Sequence, residues 1–227
     1  MEFILIVAGV LIALQVDNWN EERIQHQKEI IYLEEIRKSL VSDLSELEKV
    51  FSFNELKDSC INETLKIMAS REDGDDYSMQ IAGLFYTMGH FEHFYPNFIA
   101  YNTMISAESV NLIRNDSLRM SLANYYGREI DYETGTQEGV KAKTRQFVDR
   151  VIPKIITNDI ARFYSGLELD YDFPNFSFDD FRRDPAIFHE IMVMKINIQD
   201  QNLVLEAARE EIEGILRLMK KSSKLRM

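Results

Sequence analysis

Apolar positions fall into three patterns along the chain. Residues 3–16 carry no charge at all. From Leu33 the apolar residues recur every third or fourth place, at Leu33, Ile36, Leu40, Leu44, Leu47 and Phe51. That spacing puts them on one face of an α-helix. Neither Pro nor Gly occurs between Asn20 and Gly74, and Glu34 and Lys38 stand in the favourable i,i+4 order. The pattern therefore predicts one helix running to about residue 70, a stalk roughly 75 Å long beyond Asn20. The third pattern opens at Asp184-Pro185, a cap followed by Pro at the first helical position. Ile187, Ile191, Met194, Ile198, Gln201, Leu205, Ala208, Ile212, Ile215 and Met219 then alternate by four and three. This is a heptad seam with Gln201 as its polar member. Gln201 either fixes the register or, the reading favoured by sequence, leans to the surface.

The middle of the chain is more broken. Arg71-Glu72-Asp73-Gly74-Asp75-Asp76 reads as a loop, and residues 79–88 as a short apolar helix. His90-Phe91-Glu92-His93-Phe94-Tyr95-Pro96 is a break. Asn97 is placed to cap a helix carrying Phe98, Tyr101, Met104 and Ile105, and Asn115 or Asp116 to cap one carrying Leu118, Leu122, Tyr125 and Tyr126. Gly127, Gly135 and Gly139 leave either one weak helix or two. Phe147, Val151 and Ile155 resume the stripe, which Pro153 should kink or end. The expected fold is all-α: a truncated N-terminal transmembrane helix over residues 1–19, continuing into an elongated antiparallel helical bundle over residues 20–227. If the last helix returns along the first, Lys220, Lys221, Lys224 and Arg226 face lipid headgroups; otherwise they form a solvated tail.

The uncharged opening covers roughly 21 Å as a helix, short of the ~30 Å hydrocarbon core. Met1-Glu2 supplies neither the basic start nor the cleavage site of a signal peptide. A buried core helix would need a polar face, which residues 3–14 lack. A third, competing reading is a membrane helix whose first turns are missing or badly bounded, and Trp19 at the end of the run supports it. Within it, Gly9 and Ala13 form a small-x-x-x-small pair, either a helix-contact site or ordinary membrane composition. Glu2 is either an intramembrane carboxylate or a solvated terminal residue.

The residues Ile12-Ala13-Leu14-Gln15-Val16-Asp17-Asn18-Trp19-Asn20-Glu21 resemble the signature of a family of Bacteroidota membrane proteins known as a domain of unknown function. A second block is similar: Ala100-Tyr101-Asn102-Thr103-Met104-Ile105, then Asn111-Leu112-Ile113-Arg114-Asn115-Asp116, Leu118 and Tyr125-Tyr126. The likeness extends over nearly the whole chain. In that family a Lys/Arg-rich leader and further apolar residues precede the equivalent of Glu2, and Ser-Gly often stands where this chain has Ala107-Glu108. A tight turn at that point is therefore in question. The resemblance implies a single-pass protein of the inner (cytoplasmic) membrane with a cytoplasmic start and a periplasmic C-terminal domain. Asp17, Glu21 and Glu22, offset only by Arg23, agree with the far end lying outside the cytoplasm. No activity comes with the resemblance.

Charge and composition narrow the chemistry. Lys plus Arg number 26 against 38 Asp plus Glu, for a net charge of -12, which argues against nucleic acid as a partner. Cys60 is the single cysteine, so neither an internal disulfide nor a cysteine-rich zinc site is possible. His90, Glu92 and His93 are the metal candidates, although their spacing is not the helical one that puts two His on one face. Asp73-Gly74-Asp75-Asp76 lacks the closing ligand of a calcium loop. Tyr171, Phe173, Phe176, Phe178 and Phe181 either close the core or meet a partner, with Ser177 and Asp180 forming a capping box. Glu34-Glu35 and Glu210-Glu211 read as solvated helix faces. Phosphate-loop, nucleophile-elbow and Cys-x-x-Cys motifs are missing from the sequence, and no cofactor is implied.

The leading expectation is a non-catalytic, membrane-tethered helical interaction module. Its partners would be membrane lipid and either a second copy or a membrane or periplasmic protein, with Gly9, Ala13 and Gln201 as interaction residues. The second is a periplasmic small-ligand sensor acting through a partner, with Tyr101, Arg114, Tyr125 and Tyr126 as wall residues. A metal-dependent enzyme built on His90 and His93 is the third.

Overall fold

The computed structural model describes residues 2–70, 77–128, 135–168, 171, 173 and 176–224. All secondary structure among them is helical, as the hydrophobic spacing predicts. Helix α1 is continuous over Glu2–Ala69. It is followed by α2 (Ser78–Met88), α3 (Ile99–Ser106), a 3-10 turn (Val110–Leu112) and α4 (Asp116–Tyr126). Then come α5 (Thr136–Arg150), a second 3-10 turn (Ile152–Lys154) and α6 (Asn158–Ser165). Helices α7 (Phe178–Arg183) and α8 (Pro185–Lys224) complete the order.

The chain forms two compact units. Unit 1 comprises residues 1–44, 96–128 and 210–227, and unit 2 residues 45–95 and 129–209. In unit 2, Asn54 bonds Gln201 while Asp58 pairs with Lys195 and Glu48 with Arg209. Rising numbers on α1 thus meet falling numbers on α8, so the two helices run antiparallel there. The core of unit 2 gathers Ile61, Ile81, Phe85, Phe147, Ile191 and Ile198. Phe85 sits edge-on to Phe147 at 4.9 Å between ring centroids. Fully burying side chains of this size stabilises by about 1.5–3 kcal/mol each.

Helix ends follow their sequence signals with two adjustments. Asn115 caps α4 by accepting from the Leu118 N–H at 3.1 Å, and Ser177 caps α7 through the Asp180 N–H. Asp184 accepts from the Ala186 and Ile187 N–H groups at the start of α8, while Lys154 beside it holds its carboxyl below the usual range. Asn97 accepts from the Ile99 N–H but stands one place before the N-cap, which is Phe98. The expected Glu34–Lys38 pair is replaced by two i,i+3 pairs, Glu34 with Arg37 and Glu35 with Lys38. Two helices flank the glycine-bearing middle segment, with Gly127 ending α4 and Gly135 preceding α5. Pro153 sits in the 3-10 turn that follows α5, and Phe147, Val151 and Ile155 are all buried.

The turn after α3 is made without glycine. Ser109 N–H bonds Met104 C=O at 3.0 Å and Glu108 N–H bonds Ile105 C=O at 2.9 Å. This is a Schellman closure, and Glu108 holds its left-handed position at φ 52. Of the aromatic segment, Phe181 is buried, and Phe176 and Phe178 pack on the unit 2 core, whereas Tyr171 is exposed. Asp73, Gly74, Asp75 and Asp76 lie outside the described residues.

Candidate lipid and partner surface

Helix α1 changes character along its length. Every residue from 6 to 25 is exposed, including Ile6, Val10, Leu11, Ile12, Leu14 and Val16, and Trp19 at 67%. Gly9 and Ala13 are exposed within this stretch, and a Cβ built on Gly9 would meet nothing within 4 Å. An apolar helix exposed around its circumference has no face on which water is preferred. Among the described residues no helix is long and apolar enough to cross a membrane. The described apolar stretch therefore falls short of the transmembrane helix expected of residues 1–19.

Burial begins abruptly at Glu29, which is 0% exposed. Its Oε1 accepts from the Arg114 backbone N–H at 3.1 Å, and its Oε2 lies 3.1 Å from His26 Nδ1. Nearby, unit 1 carries a groove of about 690 Å³ between α1 and the end of α8. Ile30, Leu33 and Val41 line it from α1, and Leu216 and Met219 from α8, with His26, Glu34, Arg37 and Lys220 adding charge. Because His26 and Ser222 share this groove, the end of α8 returns beside α1 only seven residues past Trp19, about 10 Å of helix rise. Asn115 Nδ2 fastens that end by donating to Ser222 Oγ at 2.7 Å. Lys220 and Lys221 are exposed there, while Arg226 lies outside the described residues.

The four expected ligand-wall residues separate. Tyr101, Tyr125 and Tyr126 do assemble: Tyr101 stacks on Tyr126 at 4.5 Å, and Tyr125 meets Tyr126 edge-on at 4.9 Å. All three are buried. Tyr125 OH donates to Asp43 Oδ2 at 2.9 Å, and Asn97 N–H donates to Asp43 Oδ1 at 2.9 Å. Tyr126 OH is buried without a hydrogen-bond partner, and burial followed by the Asp43 charge pushes its pKa well up. Burial likewise raises that of Tyr101. Arg114 is exposed, and its backbone bonds Glu29, fourteen residues before Asp43 on α1 and roughly 21 Å along the helix. The three tyrosines pack around the buried Asp43 carboxylate, with Arg114 apart from them.

In unit 2 the segment from His90 to Tyr95 is held by long polar side chains from three helices. Lys57 of α1 donates to His90 C=O at 2.6 Å and to Thr144 Oγ1 at 3.0 Å. Gln201 of α8 donates to Glu92 C=O at 3.2 Å. Gln137 of α5 bonds both the N–H and the C=O of Phe94, at 2.7 and 2.8 Å. A non-helical strand of backbone crossing a core must have such partners. Gln201 is 0% exposed, so it is buried rather than leaning to the surface. The histidines are not drawn into a metal site. Among the described residues no group of three His, Cys, Asp or Glu is close enough to hold one. His90 Nδ1 bonds Tyr86 C=O, and Glu92 is exposed. His93 Nδ1 is buried without a partner, with its pKa lowered first by burial and then by Lys141.

Lys57 escapes a reading based on apolar spacing. It is 1% exposed, and burial pulls its pKa down to about 7. Asp43, Asn54 and Thr64 share its position on the buried stripe of α1 and escape in the same way. The signal that finds them is the spacing itself. Ile36, Leu40, Asp43, Leu47, Val50, Asn54, Lys57, Ile61 and Thr64 alternate by four and three without a break, and all are buried.

This architecture defines a class: a protein whose secondary structure, among the described residues, is all helical, in which buried Glu29, Asp43, Lys57 and Gln137 bond its own backbone and whose first helix carries an exposed apolar segment from residue 6. The chain belongs to DUF6090, a family of unknown function, which matches residues 2–139. That span takes in α1 to α4 and ends within α5, and membership carries neither an activity nor a cellular address. No curated protein and no solved structure matches the chain.

Proposed function

We propose that the protein is a membrane-anchored, non-catalytic helical interaction module of the inner membrane, with residues 20–227 in the periplasm. The observation that carries this reading is the contrast within α1. Its side chains are exposed on every side from residue 6 through residue 25, and a buried stripe starts at Glu29. Lipid accepts an apolar helix on all sides, whereas another protein covers one face. The return of Lys220 and Lys221 to within about 10 Å of the Trp19 level supports an interfacial placement, since ammonium groups favour anionic headgroups. The unit 1 groove, lined by apolar residues with Glu34, Arg37 and Lys220 among them, suits a helix from a second copy or from another membrane protein. A non-catalytic role is supported by the buried ionisable groups, for Glu29, Asp43 and Lys57 each bond backbone of their own unit.

The test is in-cell photocrosslinking from Ile30 and Val41, with mass spectrometry of the products and alkaline washing of the membranes. The expected result is a wash-resistant membrane protein with one recurrent adduct, either a second copy or one other protein. A protein released by the wash that yields only uncrosslinked monomer overturns the reading.

A further inference from the structure

A second concavity, in unit 2, is unlike the groove of unit 1. It has a volume of about 480 Å³ and is walled by α2, the chain around the second 3-10 turn, α6 and Phe173. The local sequence explains why it exists. Pro153 stops α5 from continuing, and Thr157 restarts a helix by accepting from the Ile160 N–H at 3.3 Å. Helix α6 then lasts only eight residues before Gly166, whose φ of 67 is the left-handed conformation that glycine adopts without strain. The chain thus turns back over α2 with isoleucines at its bend, while Ala82 and Ala161 leave space on the two helices.

The lining states a chemistry. Ile155 and Ile160 are buried walls, and Ile152 and Ile156 extend them. Tyr86 and Tyr164 stand at the opening, each about half exposed, with rings stacked at 5.7 Å and 15°. Their hydroxyls and that of Ser165 are the polar side-chain groups of the lining; Tyr164 OH makes a long bond of 3.4 Å to Ala82 C=O. Among the described lining residues none is Asp, Glu, Lys, Arg or His. A charged ligand would lose its hydration here and gain no counter-charge from these residues. Small-molecule sites are concave, mostly apolar, about 300–1,000 Å³, and oriented by a few polar groups.

We propose that this pocket binds an uncharged small molecule with an apolar ring or short chain as its body and one hydroxyl or carbonyl directed to Tyr86 and Tyr164. The site goes beyond the anchoring role, and neither depends on the other. It also differs in place from the Tyr101, Tyr125 and Tyr126 cluster, which is packed.

The experiment uses the full chain in lipid nanodiscs and an uncharged aryl diazirine as photoprobe, with labelled positions mapped by peptide mass spectrometry. Labelling of residues 152–165 and of Ala82 to Tyr86 should saturate with probe. It should fall at least fivefold with excess 1-naphthol and stay unchanged with naphthalene-1-sulfonate, which has the same ring system and a charge. Ala161→Trp, which fills the space, should remove at least nine-tenths of the saturable labelling while the melting temperature holds. Competition on the unaltered chain decides the matter by itself if that variant does not fold. Labelling that rises without saturation, or competition by the sulfonate as strong as by the naphthol, overturns the proposal.

Discussion

Asp43 and Lys57 occupy equivalent places two heptads apart on α1, one in each unit, and they solve opposite problems. Asp43 presents a carboxylate to donors, the Asn97 N–H and the Tyr125 hydroxyl. Lys57 presents an amine to neutral acceptors, the His90 carbonyl and the Thr144 hydroxyl. Each fixes a non-helical piece of chain against a helix, the entrance to α3 in unit 1 and the exit from α2 in unit 2. The difference lies in the proton. Donors suit a carboxylate's lone pairs, whereas burial works against the lysine's positive form. One unit is therefore pinned by an acceptor, and the other by a group whose charge is conditional on pH.

The largest break in this comparison is Asp43→Leu. It removes the acceptor of one buried and one partly buried donor, so unit 1 should lose about 3–4 kcal/mol in urea denaturation, with early hydrogen exchange at residues 96–98. The lysine responds to pH rather than to truncation alone. Its folded pKa of about 7 lies below its unfolded value near 10.4. Between those values the unfolded chain carries a proton that the folded lysine has released, so stability rises with pH across that window and levels off below it. The rise should amount to roughly 3–4 kcal/mol between pH 7 and 10, and thermal melts of Lys57→Met should lack that slope. Equal slopes in the two proteins would mean that Lys57 keeps an ordinary proton affinity. Next in size, Gln137→Leu takes both bonds from Phe94 and should cost about 2–3 kcal/mol, read as faster exchange at residues 90–95 with unit 1 unchanged. The smallest effect is a gain. Glu108→Gly relieves a left-handed residue in a turn that no buried charge holds, and should add about 1 kcal/mol in the same denaturation assay.

What was legible in the chain depended on who occupied each repeat. All ten positions of the α8 seam are buried as its four-three spacing demands, because nine of them are apolar and the pattern announces itself. The same repeat on α1 hides four of its members, since Asp43, Asn54, Lys57 and Thr64 look like surface residues until their neighbours at three and four are counted. Leu33 and Leu44, expected on the stripe, are only half-buried. His90, Glu92 and His93 suggest a metal because two imidazoles and a carboxylate stand together, yet their segment is held by its backbone N–H and C=O groups, which leave no trace in side-chain chemistry. Tyr101, Tyr125 and Tyr126 do come together on α3 and α4, Tyr101 stacked on Tyr126 and Tyr125 edge-on to it. Arg114 stands apart, because its partner is set by the pitch of α1 some four turns away. The unit 2 pocket had a faint sequence signal in Pro153 and the short capped helix after it, but its emptiness arises from two alanines that nothing local distinguishes.

Trp19 is the chain's single tryptophan, and it stands at the end of the exposed apolar segment. Excitation near 295 nm, a wavelength that tyrosine barely absorbs, therefore isolates one indole, and the emission colour of the whole molecule becomes a depth gauge for that one point. Blue-shifted light in the presence of vesicles, dimmed by quenchers fixed at known positions along the acyl chains, would show that residue 19 meets lipid and at what depth, without any label being added; unshifted light would show that it does not.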